Sequence, residues 1–160
     1  MEKATFGAGC FWGVESFFRE VPGVEEAICG YAGGCMKSPT YAQVCSDETG
    51  HAEVVEVSFD PEKVSYATLV DVFFANHNPT TLNRQGPDEG TQYRSVIFTH
   101  TDEQEKVARE KKAALAASGK FKQPIVTTIE PVPAFWRAED YHQRYFEKNG
   151  LPSCHVSYSE

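Results

Sequence analysis

Cys10 is the residue best placed to act as a nucleophile. It follows the glycine-rich stretch Gly7-Ala8-Gly9, which predicts a tight turn from a strand into a helix. A helix N-terminus carries unpaired N–H groups and a positive partial charge, and both stabilise a thiolate. We therefore expect Cys10 to be more acidic than a free cysteine, with Phe11 and Trp12 walling an apolar pocket beside it. The alternative is a buried thiol between two core aromatic residues.

Glu53 is the candidate acid. Alternation along the segment Glu53–Phe59 places it on the same face as Val55 and Val57, and this face is predicted to point into the core. Burial raises the pKa of a carboxyl group, so that the group stays protonated and can donate a hydrogen bond. The alternative is an exposed carboxylate at the end of a strand, paired with a lysine or arginine.

Two phenols could donate hydrogen bonds to a substrate oxygen. Tyr41 and Tyr93 each lie beside a turn rich in glycine or proline, and Tyr93 ends a polar loop that contains Asp88. Binding residues concentrate in loops that rigid elements hold in place. Ordinary core or surface tyrosines are the alternative for both.

The sequence predicts neither a metal nor a bound cofactor. The five histidines show no H-x-x-x-H spacing and no zinc-type pairing with cysteine. Phosphate-cradling motifs of the G-x-G-x-x-G or Walker type are also absent from the sequence.

The elements that must position these residues follow the order β-α-β-β-α-β-α-β. This order predicts an α+β fold: a two-layer α/β plait with a split βαβ, ferredoxin-like core and an extended C-terminal coil. The long segment 76–92 is predicted to be a functional or disordered loop. The predicted strands are 3–8, 24–31, 53–59, 93–99 and 125–129, and the predicted helices are 10–21, the region of 66–74, 101–117 and 138–148.

Length and charge limit the class of protein. A chain of 160 residues with a net charge of −8 fits a single domain over 1–160, and residues 146–160 are predicted to form a mobile tail. The acidic balance argues against nucleic acid and anionic membranes as partners. The five cysteines are an odd number in a chain too long to need disulfides, so we interpret them as reduced thiols of a cytoplasmic protein.

Five motifs occur in series along the chain. They are Gly9-Cys10-Phe11-Trp12-Gly13, Gly30-Tyr31-Ala32-Gly33-Gly34, Pro39-Thr40-Tyr41, Gly50-His51-Ala52-Glu53-Val54 and Gly86-Pro87-Asp88-Glu89-Gly90-Thr91-Gln92-Tyr93-Arg94-Ser95. Together they resemble the A-type peptide methionine sulfoxide reductases. A further block, Ala138-Glu139-Asp140-Tyr141-His142-Gln143, is similar to one in this family, and the resemblance spans roughly residues 4 to 146.

The resemblance implies a reductase that converts methionine-S-sulfoxide, free or in proteins, to methionine. It assigns the nucleophile to Cys10 and the acid that protonates the sulfoxide oxygen to Glu53. Tyr41 and Tyr93 match hydrogen-bonding partners of that oxygen. Phe11 and Trp12 match the wall that holds the substrate methyl group, and Asp88 matches a residue that orients the site.

The same resemblance implies that a second thiol converts a Cys10 sulfenic acid to a disulfide, which thioredoxin then reduces. Some family members have two cysteines in the tail, whereas this chain has Cys154 alone. Cys154 is therefore the predicted resolving cysteine and Cys35 the reserve, while Cys29 and Cys45 are expected to pack in the fold. The protein is expected to act as a monomer.

Two other classes of function remain open from the residues. Cys10 could serve a cysteine hydrolase with His51 or His142 as the base, and such an enzyme would need no reductant. The chain could also be a non-catalytic module that binds oxidised methionine in the aromatic pocket.

Overall fold

The computed structural model describes residues 1–46 and 49–148, without the side chains of residues 146 and 147. The fold is mixed α/β, with helices packed against a central sheet. The strands are β1 (Glu2–Ala8), β2 (Val24–Ala32), β3 (Ala52–Phe59), β4 (Arg84–Gln85), β5 (Asp88–Glu89), β6 (Ser95–Thr99), β7 (Thr128–Pro131) and β8 (Trp136–Arg137). The helices are α1 (Phe11–Arg19), α2 (Tyr41–Cys45), α3 (Tyr66–Ala75), α4 (Asp102–Ala117) and α5 (Tyr145–Lys148).

Six strands form one mixed sheet in the order β7-β6-β1-β3-β2-β8. The pairs β1–β3, β1–β6, β2–β3 and β2–β8 are antiparallel, and β6–β7 is parallel. The short strands β4 and β5 form a separate hairpin. Strands β1 and β3 are neighbours in this sheet. Cys10 follows the end of β1 and Glu53 lies at the start of β3, so the two candidate reacting residues belong to neighbouring strand ends.

Apolar side chains cover both faces of the sheet. The large core cluster joins one face to α1 and α3, through residues such as Phe6, Phe18 and Phe73. On the opposite face, a smaller cluster that includes Val54 and Phe98 lies beneath the segment 132–135. Alternate side chains of β3 therefore point into two different buried clusters, one on each face of the sheet, rather than into a core on one side and solvent on the other.

The predicted helix over 138–148 is wrong. Residues 140–142 form a single 3₁₀ turn, β8 precedes it, and only the last four residues are α-helical. The side chain of Gln143 bonds both the N–H and the C=O of Cys29 on β2, and the Ala138 N–H also donates to Cys29 O. These bonds to β2 replace the i→i−4 ladder, and the positive φ of Arg144 (54°) interrupts a continuous helix.

Other boundaries differ because tertiary contacts set them. Strand β7 begins at Thr128 rather than at Ile125, since it pairs with β6 through Val96↔Thr128. The predicted loop 76–92 contains the β4–β5 hairpin and a 3₁₀ turn at Thr91–Tyr93. Helix α2 was not predicted. The predicted tail falls largely outside the described residues.

Candidate active site

Cys10 lies at the junction of β1 and α1, where it is the residue that precedes the first helical residue. Gly9 has a φ of 96°, which L side chains rarely adopt. An added Cβ at Gly9 would also lie 2.9 Å from Gln85 Cβ. The backbone can therefore turn from strand to helix only through a glycine, and this turn leaves the Cys10 thiol partly exposed.

The thiol of Cys10 is neutral in the substrate-free protein. Its pKa is raised from 9.0 to about 12, mainly by burial and to a smaller extent by the nearby acidic groups of Glu53 and Asp88. The backbone N–H groups of Trp12 and Gly13 lower the pKa, but by less. The expectation of an acidic Cys10 is therefore wrong for this state, because burial beside two acidic groups outweighs the effect of the helix N-terminus.

Glu53 lies on β3 directly opposite Tyr31 of β2, and it is 1% exposed. Its Oε1 accepts the backbone N–H of Phe11 at 3.1 Å. Its Oε2 is buried and has no hydrogen-bond partner among the described residues. The prediction from strand alternation, a carboxyl group in apolar surroundings, is confirmed.

The environment of Glu53 keeps it protonated at neutral pH. Its pKa is raised from 4.5 to about 8 in total: burial is the main cause, the Phe11 N–H partly opposes the rise, and the charge of Asp88 adds to it. Because Oε1 is occupied as an acceptor, the free Oε2 can carry the proton. The site thus contains an O–H donor without a partner next to a thiol.

Tyr41 and Tyr93 lie close enough to Glu53 for its charge to affect them. Burial raises the pKa of both phenols, and the Glu53 carboxylate raises each further. Both hydroxyls are therefore neutral donors at physiological pH. Tyr41 begins α2, where Thr40 and Gln43 form a capping box, and Tyr93 ends the 3₁₀ turn.

Asp88 reaches the site from the β4–β5 hairpin, and its charge raises the pKa of both Cys10 and Glu53. The hairpin is anchored by Gln85, whose side chain accepts from Asn78 N at 3.0 Å and donates to Asn78 O. The long polar loop of the sequence is thus an ordered segment that brings a carboxylate to the thiol.

Aromatic rings form a wall next to Cys10. Phe11 is fully buried, and its ring lies 6.5 Å from Trp12 and 6.2 Å from Tyr41 between centroids. The rings of Trp12 and Tyr41 are also 6.2 Å apart. The two predicted wall residues, Phe11 and Trp12, therefore lie together. Tyr41 is a third member of this wall and is also one of the two phenol donors.

The remaining cysteines differ in their surroundings. Cys29 is buried, and its Sγ donates to Phe11 O at 3.6 Å, as a packing residue would. Cys45 is exposed rather than packed, and its thiol is hydrogen-bonded to the Tyr41 hydroxyl. Cys35 is exposed, with its Sγ 3.5 Å from Thr49 O. The predicted resolving residue, Cys154, lies outside the described residues.

Neither histidine proposed as a hydrolase base is hydrogen-bonded to the Cys10 thiol. Both ring nitrogens of His51 contact backbone atoms: Nδ1 accepts from Gly34 N and Nε2 bonds Met36 O. The Nδ1 of His142 accepts the indole N–H of Trp12. Among the described residues, no hydrogen bond pairs Cys10 with His51 or His142, as the cysteine–histidine pair of a hydrolase would require.

Sequence reasoning missed three residues that contact the wall: His142, Glu139 and Tyr145. The family-like block 138–143 contains two of them and was the available signal. For α2, the signal was the Thr40-x-x-Gln43 pattern of a capping box, which a five-residue helix carries without any apolar periodicity.

Within residues 1–46 and 49–148, no three His, Cys, Asp or Glu side chains are grouped so as to hold a metal ion. Nor does any helix in that part of the chain combine the length and apolar character that crossing a bilayer requires.

Comparisons with known proteins agree on one family. The family model described as peptide methionine sulfoxide reductase (PMSR) matches residues 2–160. The chain is 62% identical over 154 residues to the peptide methionine sulfoxide reductase MsrA of Methanoculleus marisnigri, covering 96% of this chain and 94% of that relative.

Solved structures are similar as well. Mxr1 from Saccharomyces cerevisiae in reduced form has a TM-score of 0.88 and 38% identity, covering 94% of this chain and 87% of Mxr1. Mxr1 in complex with Trx2 has a TM-score of 0.65 and 27% identity, covering 99% of this chain and 89% of Mxr1. The chain therefore belongs to the peptide methionine sulfoxide reductase family.

Proposed function

We propose that this enzyme reduces methionine-S-sulfoxide, free or in proteins, by direct attack of Cys10 on the sulfoxide sulfur with Glu53 as the proton donor. The chain is a thiol-dependent methionine sulfoxide reductase, an oxidoreductase whose thiols are regenerated by thioredoxin. The observation that carries the assignment of the residues is the buried Oε2 of Glu53, which has no hydrogen-bond partner among the described residues and lies in a carboxyl group close enough to Cys10 to affect the pKa of its thiol.

The chemistry needs an acid because the sulfoxide oxygen is a poor leaving group. Glu53 donates its proton to that oxygen, and the O–H groups of Tyr41 and Tyr93 stabilise the same oxygen as it is protonated. The indole of Trp12 and the ring of Phe11 enclose the substrate methyl group. Asp88 orients the site and helps to keep Glu53 protonated.

The step balances in protons and electrons. The Cys10 sulfur forms a bond to the substrate sulfur, the sulfoxide oxygen takes the Glu53 proton, and the carboxylate so formed takes the thiol proton. Collapse of the adduct transfers the hydroxyl group to Cys10 and releases methionine. The substrate gains two electrons, and Cys10 is oxidised by two electrons to a sulfenic acid.

Regeneration proceeds through a disulfide between Cys10 and Cys154 that thioredoxin attacks, with Cys35 as the reserve resolving thiol. The solved complex of Mxr1 with Trx2 supports thioredoxin as the partner. A Cys154→Ser variant should still form one equivalent of methionine and then accumulate sulfenic acid, with thioredoxin-linked turnover lost. Undiminished turnover would remove Cys154 from the resolving role, and a Cys10–Cys35 disulfide found in the wild type by mass spectrometry would assign that role to Cys35.

The activity is tested by incubation of the protein with each methionine sulfoxide epimer and dithiothreitol, followed by chromatography of the methionine formed. The S epimer should be reduced and dithiothreitol consumed in equal amounts. Turnover of an ester or amide without reductant would favour a hydrolase, and binding without conversion would favour a non-catalytic module.

We further propose that the protein is a cytoplasmic monomer. It uses a dithiol reductant in place of a bound cofactor, and it binds neither nucleic acid nor a membrane. Within the described residues, one chain supplies the thiol, the acid, both phenols and the aromatic wall of the proposed site, which supports the monomer. The four cysteines of the described part are free thiols, as a reducing compartment would keep them. The net charge of −8 opposes association with polyanions.

The core is proposed to be a ferredoxin-like plait. The strand order β6-β1-β3-β2, with α1 and α3 contributing to one core cluster, supports this description. Strands β7 and β8 then extend the plait at its two edges.

A further inference from the structure

The indole of Trp12 is held by a hydrogen bond as well as by packing. Its Nε1–H donates to His142 Nδ1 at 3.0 Å. On the ring face, Tyr145 stacks against it with centroids 3.8 Å apart and planes 8° from parallel. The orientation of the indole is therefore specified in two directions, and the polar contact depends on one acceptor atom.

His142 is itself fixed in the core. It is 0% exposed, and its ring lies 4.4 Å from Tyr41 and 5.1 Å from Phe11 between centroids. Because Nδ1 accepts the indole proton, the single proton of the neutral ring must lie on Nε2. Burial lowers the pKa of His142 and so maintains this neutral form.

A carboxylate stabilises that tautomer. Glu139 Oε1 lies 4.0 Å from His142 Nε2. The same carboxylate accepts the Tyr31 hydroxyl at 2.9 Å and the Tyr41 backbone N–H at 3.1 Å. Glu139 is thus anchored to β2 and to the start of α2, and its charge faces the Nε2–H. His142 Nε2 itself has no hydrogen-bond partner among the described residues, so the carboxylate acts on it through its charge at 4.0 Å rather than through a bond.

The position of the indole has a stereochemical consequence. The two epimers of a sulfoxide exchange the positions of oxygen and lone pair at sulfur. If the oxygen must meet Glu53 and the sulfur must meet Cys10, the methyl groups of the two epimers point in different directions. A wall fixed in one orientation then accepts the methyl group of one epimer and excludes the other.

We propose that His142 is a positioning residue that fixes the Trp12 indole through the Nε1–Nδ1 hydrogen bond and thereby sets substrate affinity and the preference between the two sulfoxide epimers. The proposal rests on the function proposed above. His142 contacts the wall and not the reacting atoms, so its removal should act on KM and on epimer selectivity rather than on the chemical step.

The test compares two variants of one side chain. His142→Phe keeps an aromatic ring but has no acceptor, whereas His142→Asn retains an oxygen close to the position of Nδ1. We expect His142→Phe to raise KM for the S epimer by about tenfold, the scale of one lost hydrogen bond. Its single-turnover rate at saturation should stay within about threefold of wild type, with a lower ratio of S to R reduction. His142→Asn should restore KM and selectivity.

A double-mutant cycle separates positioning from general packing. Trp12→Phe removes the donor, so His142→Phe should change KM little when it is added to Trp12→Phe. Equal losses in His142→Phe and His142→Asn would overturn the proposal. So would a full His142→Phe effect in the Trp12→Phe background, or an unchanged KM.

A measurement on the wild type keeps the proposal testable if a variant does not fold. ¹⁵N NMR of the imidazole should show His142 unprotonated at Nδ1 and protonated at Nε2. A proton on Nδ1 would overturn the inference even in an active enzyme. Failure of the proposed function is distinct, because the wild type would then form no methionine from either epimer.

Discussion

At the scale of single residues, the site keeps both the thiol of Cys10 and the carboxyl group of Glu53 protonated at neutral pH. An unassisted thiol would therefore be a poor nucleophile here. Cys10 has a pKa of about 12 and Glu53 has a pKa of about 8, each raised first by burial. A neutral pair avoids two adjacent buried negative charges. The carboxyl proton is then available for the sulfoxide oxygen, and the carboxylate formed by that transfer is the base nearest to the thiol.

The first prediction concerns the acid. Glu53→Gln keeps the size and the contact with Phe11 N–H but has no acidic proton. We expect the single-turnover rate to fall by on the order of 10²-fold or more, the range for loss of a general acid. Stopped-flow measurement without recycling reductant isolates this step. A rate within about threefold of wild type would remove Glu53 from the role of proton donor.

The second prediction concerns the thiol. With a pKa of about 12, Cys10 should react with iodoacetamide roughly 10- to 100-fold more slowly at neutral pH than a thiol of ordinary pKa. The lower thiolate fraction is only partly offset by higher intrinsic nucleophilicity. Glu53→Gln should change this rate little at neutral pH, where Glu53 is already protonated, and should accelerate it above about pH 8, where Glu53 carries the charge that raises the Cys10 pKa.

Peptide mapping by mass spectrometry follows each cysteine separately, and the exposed Cys35 serves as an internal control in the same sample. Alkylation of Cys10 as fast as that of Cys35 at neutral pH, or no acceleration in Glu53→Gln above about pH 8, would contradict the pKa order on which the proposed proton transfer rests.

At the scale of elements, the site is assembled by turns and loops more than by the regular structure that supports them. Alternation in β3 predicted the buried Glu53 because strand geometry alone fixes which side chains share a face. The helical spacing of α1 and α3 was equally readable, since each buries a continuous apolar stripe.

Where long-range contacts decide, the sequence was uninformative or misleading. The bonds between Gln143 and Cys29 join residues far apart in the chain, and they turned a predicted helix into a 3₁₀ turn. The prediction of an acidic Cys10 was wrong for the same reason. Local position suggests an acidic thiol, but burial and the approach of Asp88 from a distant hairpin reverse the shift.

The third prediction tests the turn that places Cys10. Gly9→Ala forces a φ of 96° on a residue with a Cβ and brings that Cβ to 2.8 Å from Gln85 Cγ. We expect a loss of about 2 to 4 kcal/mol in the free energy of unfolding from strain and crowding together, and a fall in kcat/KM from displacement of the thiol.

Gly86→Ala is the matched control for Gly9→Ala. Gly86 also has a positive φ, 56°, but an added Cβ there meets nothing within 4 Å. Gly86→Ala should therefore lower the free energy of unfolding by only about 1 kcal/mol. Urea denaturation and steady-state kinetics of both variants would measure the difference. Equal losses would show that the approach to Gln85 has no structural consequence.

At the scale of the whole molecule, the buried acid that catalysis requires makes the folded state less stable as the pH rises. Glu53 has a pKa of about 8 in the folded protein, against 4.5 for the free group. Because the folded pKa is raised, the folded state binds the proton more tightly than the unfolded chain. The contribution of Glu53 to stability is complete below pH 4.5 and is lost as the pH rises through about 8.

The fourth prediction follows from this sign. Glu53→Gln should gain stability relative to wild type as the pH rises, by on the order of 3 kcal/mol between pH 5 and pH 9. Urea denaturation at both values measures the change. Glu56→Gln, on the other face of β3 and next to Lys3, is the control. A difference between Glu53→Gln and wild type that does not vary with pH would contradict a buried, neutral Glu53.

The central claim is that Cys10 attacks the sulfoxide sulfur directly, and rapid-quench analysis without any reductant tests it most directly. Wild-type enzyme mixed with excess methionine-S-sulfoxide should release about one equivalent of methionine per reactive Cys10 in the first turnover. Folded Cys10→Ser protein should release none, since serine lacks the thiol that becomes oxidised. Methionine formation by the Cys10→Ser variant at the wild-type rate would contradict the account and place the nucleophile at another residue.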